Sequence, residues 1–324
     1  MDTTRHLSSL PVPAVGYGAM VLIGLYGASD EATGLAALRH VLDRGAGFID
    51  TSDGYGDNEE LIGRALAGRR HDAVIATKWG IVGPGEGGRR VRASYANEIL
   101  VDARPERARA AAESSLRRLG VDVLDLWYLH FPDPGVPVDE TVGAMGELVA
   151  EGKVRHLGLS NVSPEQVLAA HQVHPIAAVQ AEWSLWTRDV ERELLPVLRE
   201  LGIGMVPWGP LGNGFLAGGA DGGLGAGDFR HNAPRFSAGN LAANRDRFAP
   251  LRAMAAEKEI TPAQLALAWL LAQGDDVVPI PGSRTPSHID ENLAAARVEL
   301  SPEDLRRLDE LAPAGAAAGA SPMG

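Results

Sequence analysis

The chain has 324 residues, of which 45% are hydrophobic, and it carries a formal net charge of −12. This composition indicates a soluble globular protein, and the acidic balance argues against a nucleic-acid partner, because phosphate binding requires a basic surface. There are no cysteines, no apolar signal-peptide core and no run of the roughly 18 apolar residues needed for a membrane span, so we expect a cytoplasmic protein without disulfides or thiolate chemistry.

Short apolar runs alternate with amphipathic segments along the chain, which is typical of βα units. Most runs are continuous, as expected for strands that are buried on both faces. Eight core strands are predicted near residues 14–18, 47–50, 73–78, 124–130, 154–160, 177–180, 204–207 and 277–280. A (β/α)8 barrel typically needs roughly 250 residues, so the pattern predicts one barrel domain over residues 1–312.

Helical signals lie between these strands. Residues 30–44 have apolar spacings of three and four, 57–67 have an acidic first turn, and 104–120 open near Pro105 and close at Gly120. Segments 163–171, 261–274 and 301–312 each begin with Ser or Thr followed by proline, a typical helix N-terminus. The last segment lies beyond the eighth unit and is predicted to be an added C-terminal helix.

Two long connections interrupt this rhythm, one over residues 79–103 and one over 209–240, and both are rich in glycine. Long connections of this kind in compact domains are usually functional or disordered. The tail at 313–324 has a low-complexity sequence, and we expect it to be flexible.

Polar side chains stand at the carboxyl ends of the predicted strands, where barrel enzymes have their active sites. In chain order they are Asp50, Lys78, His130, Ser160 with Asn161, and Gln180, and Trp208 follows the seventh strand. Their recurrence at consecutive strand ends predicts a functional site at this rim.

Tyr55 follows Asp50 by five positions. A phenol has a pKa near 10, and a neighbouring ammonium such as that of Lys78 is expected to lower it. Asp50 would keep the lysine charged and aimed, while His130 could share the proton and position a carbonyl oxygen. Together these four residues predict a general acid that acts on a carbonyl group.

The sequence resembles the aldo-keto reductase family over essentially its whole length, and within it the bacterial branch that resembles pyridoxal reductases and broad aldehyde/ketone reductases. The motifs that carry the resemblance are "GFIDTSDGYGDNEELIGRAL" (47–66), "ATKWG" (76–80), "LHFPDP" (129–134), "GLSNVS" (158–163), "PWGPLGNGFL" (207–216) and "PGSRTPSHIDEN" (281–292). They occur in family order at corresponding strand ends. The resemblance implies a TIM barrel with an N-terminal hairpin, long βα loops and an extra C-terminal helix.

It also implies an NADPH-dependent reductase, with NADH as the less favoured cofactor, that converts a small aldehyde or ketone to an alcohol. Tyr55 would be the proton donor, Asp50 and Lys78 would tune it, and His130 would orient the carbonyl. The physiological substrate and the oligomeric state do not follow from the resemblance.

The same resemblance implies a cofactor site across the barrel mouth. Its residues would be Gly18, Met20 and Asp50 beneath the cofactor; Ser160, Asn161, Gln180 and Trp208 at the nicotinamide; Gly209, Pro210, Leu211, Gly212, Gly214 and Leu216 around the pyrophosphate; Gly282, Ser283, Arg284 and His288 near the 2′-phosphate; and Glu291 and Asn292 at the adenine. Tyr26, Trp79 and Trp183, together with Trp186, could line the substrate mouth or be ordinary packing.

Several positions depart from the family pattern. Gly209 stands where many relatives have serine, and His288 stands where some branches have an arginine that contacts the 2′-phosphate. The link between Tyr55 and Asn58 is also shorter than in many relatives, and Phe131 follows the histidine at a position where relatives vary. These departures leave all four predicted catalytic residues in place.

Other interpretations of the same residues remain open at this point. Lys78 could form a Schiff base in a lyase, as lysines at barrel strand ends do in aldolases. His130 could be a core histidine or, with Asp50, a metal ligand, although further suitably spaced ligands are missing and we expect no metal. The chain could also be a cofactor-binding sensor module that regulates a partner.

The connection at 79–103 is expected to form one wall of the substrate pocket. It carries or adjoins five arginines, Arg89, Arg90, Arg92, Arg104 and Arg107. They suggest an anionic substrate, but a solvated basic loop on an acidic protein explains them equally well.

Overall fold

The structure is a computed structural model, and it describes residues 4–27, 29–93, 98–220, 223–225 and 227–320. In chain order, its strands are β1 (Thr4–Leu7), β2 (Leu10–Pro13), β3 (Tyr17–Gly18), β4 (Phe48–Asp50), β5 (Val74–Trp79), β6 (Ile81–Val82), β7 (Arg89–Arg92), β8 (Glu98–Val101), β9 (Leu124–Leu129), β10 (Val154–Ser160), β11 (Ile176–Glu182) and β12 (Gly204–Trp208).

The central sheet contains β3, β4, β5, β9, β10, β11 and β12 as neighbours in that order, and every pair is parallel. The predicted eighth strand closes the barrel through backbone hydrogen bonds between β12 and β3. Val278 and Ile280 donate to carbonyls of β12 at 2.9 and 3.2 Å, while the carbonyls of Pro279 and Pro281 accept from N–H groups at 16 and 18 at 2.9 and 3.3 Å. Because proline has no N–H, this segment pairs with β3 only through its carbonyl groups, so the ladder is incomplete.

The helices form the outer layer of the barrel. They are α1 (Glu31–Asp43), α2 (Asn58–Ala65), α3 (Pro105–Leu119), α4 (Val138–Ala150), α5 (Pro164–Val173), α6 (Leu194–Leu201), α7 (Ala238–Glu257), α8 (Pro262–Leu271), α9 (Pro286–Ala294) and α10 (Pro302–Leu311). The predicted N-termini of α5, α8 and α10 are confirmed, since Ser163, Thr261 and Ser301 each complete a capping box there. The family fold, including the added C-terminal helix α10, is therefore as expected.

The barrel has one closed end and one open end. The N-terminal hairpin of β1 and β2 places Leu7 and Leu10 in the same buried cluster as Phe48 and Leu126 of the barrel strands. Its Arg5 guanidinium donates to backbone carbonyls at 271, 274 and 277 over 2.5–2.7 Å. These contacts cover the amino-terminal end of the barrel, whereas the carboxyl end of the strands opens into a cavity.

Two segments outside the barrel have structure of their own. The connection at 79–103 includes a small antiparallel sheet in the order β6-β8-β7. The described part of the C-terminal tail lies on α7, where Asn244 exchanges hydrogen bonds of 3.0 and 2.7 Å with the backbone of Ala318. Flexibility of the tail stays a prediction. In the part of the chain that the structure describes, no helix is long and apolar enough to cross a membrane.

Candidate active site

The open end of the barrel contains a cavity of about 490 Å³. Its walls include many of the residues predicted from the sequence: Gly18, Met20, Tyr26, Asp50, Tyr55, His130, Ser160, Asn161, Gln180, Trp208, Gly209, Pro210, Leu211, Gly214, Gly282, Ser283, Arg284, His288, Glu291 and Asn292. Residues separated by more than 200 positions therefore surround one space. A volume of this size is typical of a cofactor or small-molecule site.

A buried ion pair lies at the bottom of this cavity. Lys78, from the end of β5, donates to Asp50 Oδ1 at 2.5 Å and to the Thr51 carbonyl at 2.8 Å, and Gln180 donates to Asp50 Oδ2 at 2.8 Å. Burial raises the pKa of Asp50 against the attraction of Lys78, and burial lowers the pKa of Lys78 against the attraction of Asp50. The Lys78 ammonium and both carboxylate oxygens of Asp50 therefore have hydrogen-bond partners, as buried charges require.

Tyr55 lies beside this pair. Its ring centroid is 5.3 Å from Lys78 Nζ and 5.7 Å from the centre of the His130 ring. Burial raises the pKa of Tyr55, and the carboxylates of Asp50 and Asp53 raise it further. The expectation that Lys78 lowers this pKa is wrong, because the ammonium is paired with Asp50 and burial removes the phenol from water.

His130 follows β9 and is only 6% exposed. Its Nδ1 lies 3.0 Å from the Ser52 hydroxyl, and the residue lines the cavity. Burial and, secondarily, the Lys78 charge hold the pKa of His130 well below its ordinary value. The imidazole is therefore neutral near pH 7 and has one donor and one acceptor nitrogen.

The next strand ends supply polar groups along one side of the cavity. Asn161 donates to the His130 carbonyl at 3.1 Å and accepts from the indole nitrogen of Trp208 at 3.3 Å. Its backbone has a φ of 57°, which is unusual for a residue other than glycine and is often found at functional sites. The indole of Trp208 is half-buried and lines the cavity, so it is available for stacking.

Hydrogen bonds between loops connect the walls of the cavity. Arg284 donates to the carbonyls of Gly27 and Tyr26 at 2.9 and 3.3 Å, and the Tyr26 hydroxyl donates to Asn213 Oδ1 at 2.9 Å. The loop at 24–27 is thereby tied both to the segment after the eighth strand and to the glycine-rich segment after β12. Burial raises the pKa of Tyr26, so its phenol remains a donor.

Some predicted site residues lie elsewhere. Trp79 is 1% exposed and stacks on Trp127 at 5.3 Å, and Trp183 is fully buried against Trp269. The expected place of Trp79 and Trp183 at the substrate mouth is wrong. Side chains alternate along a strand, and because Lys78 and Gln180 point into the barrel, the tryptophans one and three positions later point to the helix layer.

Three further residues, Trp186, Gly212 and Leu216, also do not line the cavity. Trp186 stacks on Phe215 with ring centres 4.2 Å apart, which makes it a packing residue. Leu216 is buried in the core, and Gly212 lies against the Trp186 ring, where a Cβ would come within 2.6 Å. Neither Gly212 nor Leu216 lines the cavity, although both were predicted at the pyrophosphate.

The arginines near the 79–103 connection do not line the cavity either. Arg89 is paired with Asp133 at 2.8 Å, Arg90 with Glu98 at 2.9 Å, and both Arg104 and Arg107 with Asp102 at 2.7 and 3.3 Å. These ion pairs favour the solvated basic loop over an anion-binding wall.

The described part of the same connection supports the pocket from behind. Val101 and Ala93 pack with Phe131, and Phe131 lines the cavity. Residues 94–97 lie outside the described part of the chain. The segment thus holds a wall residue in place, and its own described side chains do not form the expected wall.

Several residues of the site were not individually assigned a site role from the sequence, among them Ser52, Phe131, Asn213, Phe229 and Arg230. Ser52 lies between Asp50 and Tyr55 inside the first motif, so its proximity to the strand end could have indicated it. Asn213 lies inside the motif at 207–216, so that motif could have indicated it, whereas Phe229 and Arg230 lie further along the glycine-rich connection, where the sequence has no local signal. Arg230 is paired with Asp228 at 2.6 Å, so this guanidinium is already neutralised.

Comparison with known proteins agrees with this geometry. Residues 14–313 match the profile of the aldo/keto reductase family. A probable aldo-keto reductase 1 of Glycine max is 43% identical over 313 residues, covering 95% of this chain and 88% of that protein.

Solved structures of similar proteins share the fold. The glycerol dehydrogenase of Gluconobacter oxydans has a TM-score of 0.84 at 31% identity, with 96% of this chain and 94% of that chain covered. An aldo-keto reductase of Klebsiella pneumoniae, solved in complex with NADPH, has a TM-score of 0.71 at 32% identity, with 96% and 95% covered.

Proposed function

The chain belongs to the aldo/keto reductase family, and we propose that it reduces an aldehyde or ketone to an alcohol with Tyr55 as the proton donor. The family assignment supports an NAD(P)H-dependent oxidoreductase that acts on small carbonyl compounds. The geometry of the cavity supports the individual residue roles that we propose.

The cavity is suited to a nicotinamide dinucleotide. Its polar strand-end groups and the half-buried ring of Trp208 would hold the nicotinamide. Gly209 and Gly214, with φ values of 61° and 89°, let the backbone come close to a pyrophosphate. Arg284 would meet the 2′-phosphate at the far end, which favours NADPH. Bound there, the cofactor supplies a hydride.

Tyr55 would be the acid because its residue lines the cavity directly beside the Lys78 ammonium. As negative charge develops on the carbonyl oxygen of a substrate, the phenol proton moves to that oxygen. The Lys78 ammonium, 5.3 Å from the ring centroid, then stabilises the phenolate that remains. Asp50 keeps that ammonium in place, which explains why a buried ion pair stands directly beside the acid.

His130 complements the acid from the other side. A neutral imidazole with an N–H directed into the cavity can donate a hydrogen bond to the same carbonyl oxygen. Two donors converging on one oxygen fix the orientation of the substrate and favour the transition state over the ground state.

The observation that carries the proposal is the convergence of Tyr55, His130 and the Lys78–Asp50 pair on one end of a cavity large enough for a dinucleotide. The experiment mixes the protein with NADPH and a panel of aliphatic aldehydes, aromatic aldehydes, pyridoxal and ketones, and follows the loss of nicotinamide absorbance. We expect turnover of at least one carbonyl. Tight NADPH binding without any turnover would instead favour a cofactor-binding regulatory module.

The geometry argues against a Schiff-base lyase. Lys78 is 1% exposed, does not line the cavity, and has its amine engaged by Asp50 and the Thr51 carbonyl. A lysine nucleophile must present a neutral amine to the substrate. Borohydride treatment in the presence of carbonyl substrates should therefore leave Lys78 unmodified, and a trapped adduct on it would contradict the reductase mechanism.

A further inference from the structure

Ser52 occupies a position that the mechanism above does not use. It follows β4, between Asp50 and Tyr55, and it is fully buried. Its hydroxyl lies 3.0 Å from His130 Nδ1. Among the described residues, His130 Nε2 has no protein hydrogen-bond partner, and the ring lines the cavity. One nitrogen of the imidazole thus contacts the serine, and the other is left for a ligand.

The surroundings of Ser52 decide where its hydroxyl hydrogen points. The Gly54 N–H donates to Ser52 Oγ at 3.1 Å and occupies one of its lone pairs. The hydroxyl hydrogen then has three acceptors within reach: His130 Nδ1 at 3.0 Å, and Asp53 Oδ1 and the Lys78 carbonyl at 3.5 Å each. The contact at 3.0 Å has the distance of a good hydrogen bond, whereas those at 3.5 Å are at the limit.

A Ser52 hydroxyl that donates to His130 Nδ1 determines which ring nitrogen of His130 carries the hydrogen. A neutral imidazole carries one hydrogen, so a ring that accepts at Nδ1 must carry its hydrogen on Nε2. That hydrogen then points into the cavity, where it can be donated to a carbonyl oxygen. The opposite tautomer would present a lone pair to the same oxygen, and the two groups would repel each other.

We propose, on the basis of the function proposed above, that Ser52 is a positioning residue that selects the Nε2–H tautomer of His130. The hydroxyl acts through the imidazole and does not touch the substrate. This role differs from that of a simple turn-forming serine, which needs only the bond from Gly54 and would have no effect on the histidine ring.

The direct test is NMR of the two ring nitrogens of His130 in protein labelled with 15N-histidine and saturated with NADP⁺. The protein has nine histidines, so the His130 signals are identified by their loss in His130→Asn. We expect Nε2 to show the shift of a protonated nitrogen and Nδ1 that of an unprotonated acceptor. A wild-type ring with its hydrogen on Nδ1 would overturn the proposal.

Variants at Ser52 extend the test to catalysis. In Ser52→Ala the Nδ1 signal should move towards that of a mixed tautomer, and kcat/KM for a carbonyl substrate should fall roughly tenfold or more, because one donor to the developing oxyanion is weakened. The dissociation constant of NADPH should stay unchanged. Ser52→Thr keeps the hydroxyl and should restore both the tautomer and most of the activity.

The outcomes separate this proposal from the proposed function. If wild-type protein turns over no carbonyl, the reductase proposal fails, while the nitrogen shifts still decide the tautomer. If Ser52→Ala leaves both the nitrogen shifts and kcat/KM as in wild type, Ser52 is only a turn residue. A loss of activity in Ser52→Ala with unchanged nitrogen shifts would also contradict the positioning role.

Discussion

The buried pair of Asp50 and Lys78 makes the protein sensitive to a single change of charge. In Asp50→Asn the side chain keeps its shape but loses its charge, so the Lys78 ammonium loses its only carboxylate contact within 4 Å among the described residues. The ammonium is 1% exposed and retains only neutral acceptors, the Thr51 carbonyl at 2.8 Å and the new amide oxygen at position 50. It must then either remain charged in an apolar site or give up its proton.

The expected cost follows from this burial. Removing one partner of a buried ion pair typically destabilises a protein by about 3–5 kcal/mol. Lys78→Met leaves Asp50 with its hydrogen bond from Gln180 at 2.8 Å, and the carboxylate can also take up a proton, since burial already raises its pKa. The double variant Asp50→Asn, Lys78→Met leaves neither residue of this pair charged, so its cost should be smaller than the sum of the single costs by about 2 kcal/mol or more.

Urea unfolding measures these stability losses as a thermodynamic cycle of the wild type, both single variants and the double variant. Glu257→Gln is the matched control, because it removes the same charge from an exposed pair with Arg307 and should change stability far less. The reasoning would be refuted if each single variant lost less than about 1 kcal/mol of stability and the two losses were additive. Such a result would mean that the Asp50–Lys78 pair is not removed from water.

Three further outcomes are expected. Arg284→Ala should weaken NADPH binding at least tenfold more than NADH binding in fluorescence titrations; equal losses would show that Arg284 does not contact the 2′-phosphate. Burial and then the Glu59 charge raise the pKa of Asp53 from 3.8 to about 7, so the native state holds this proton more tightly than the unfolded chain and loses stability as pH rises through that interval. The stability of Asp53→Asn relative to the wild type, measured by urea unfolding, should therefore rise by up to about 4 kcal/mol between pH 4 and pH 8. A stability difference that does not change with pH would contradict the raised pKa of Asp53. Tyr26→Phe removes the hydrogen bond to Asn213 across the cavity, and cofactor release should become about fivefold faster in stopped-flow measurements, whereas an unchanged rate would mean that the loops open elsewhere.

The barrel could be predicted from the sequence because its signals are local. Continuous apolar runs indicated the strands, and the Ser or Thr before proline indicated the starts of α5, α8 and α10. The eighth strand was also found, although Pro279 and Pro281 remove the N–H groups that would complete its ladder with β3.

The parts that could not be predicted depend on contacts between distant residues. Trp79 and Trp183 stand beside inward-facing strand-end residues, and only the direction of each side chain separates packing from a role at the mouth. The pKa of Tyr55 is raised by burial and by the nearby carboxylates of Asp50 and Asp53. Neither quantity can be obtained from a list of residue types.

Tyr55→Phe in single-turnover kinetics tests the central claim most directly. The protein is loaded with NADPH and mixed with a carbonyl substrate, and Tyr128→Phe serves as the control, because it removes a buried phenol hydroxyl that does not line the cavity. We predict that Tyr55→Phe slows reduction by about 100-fold or more while the dissociation constant of NADPH stays unchanged, and that the control remains active. Reduction by Tyr55→Phe at a rate near that of the wild type would contradict the assignment of this phenol as the proton donor.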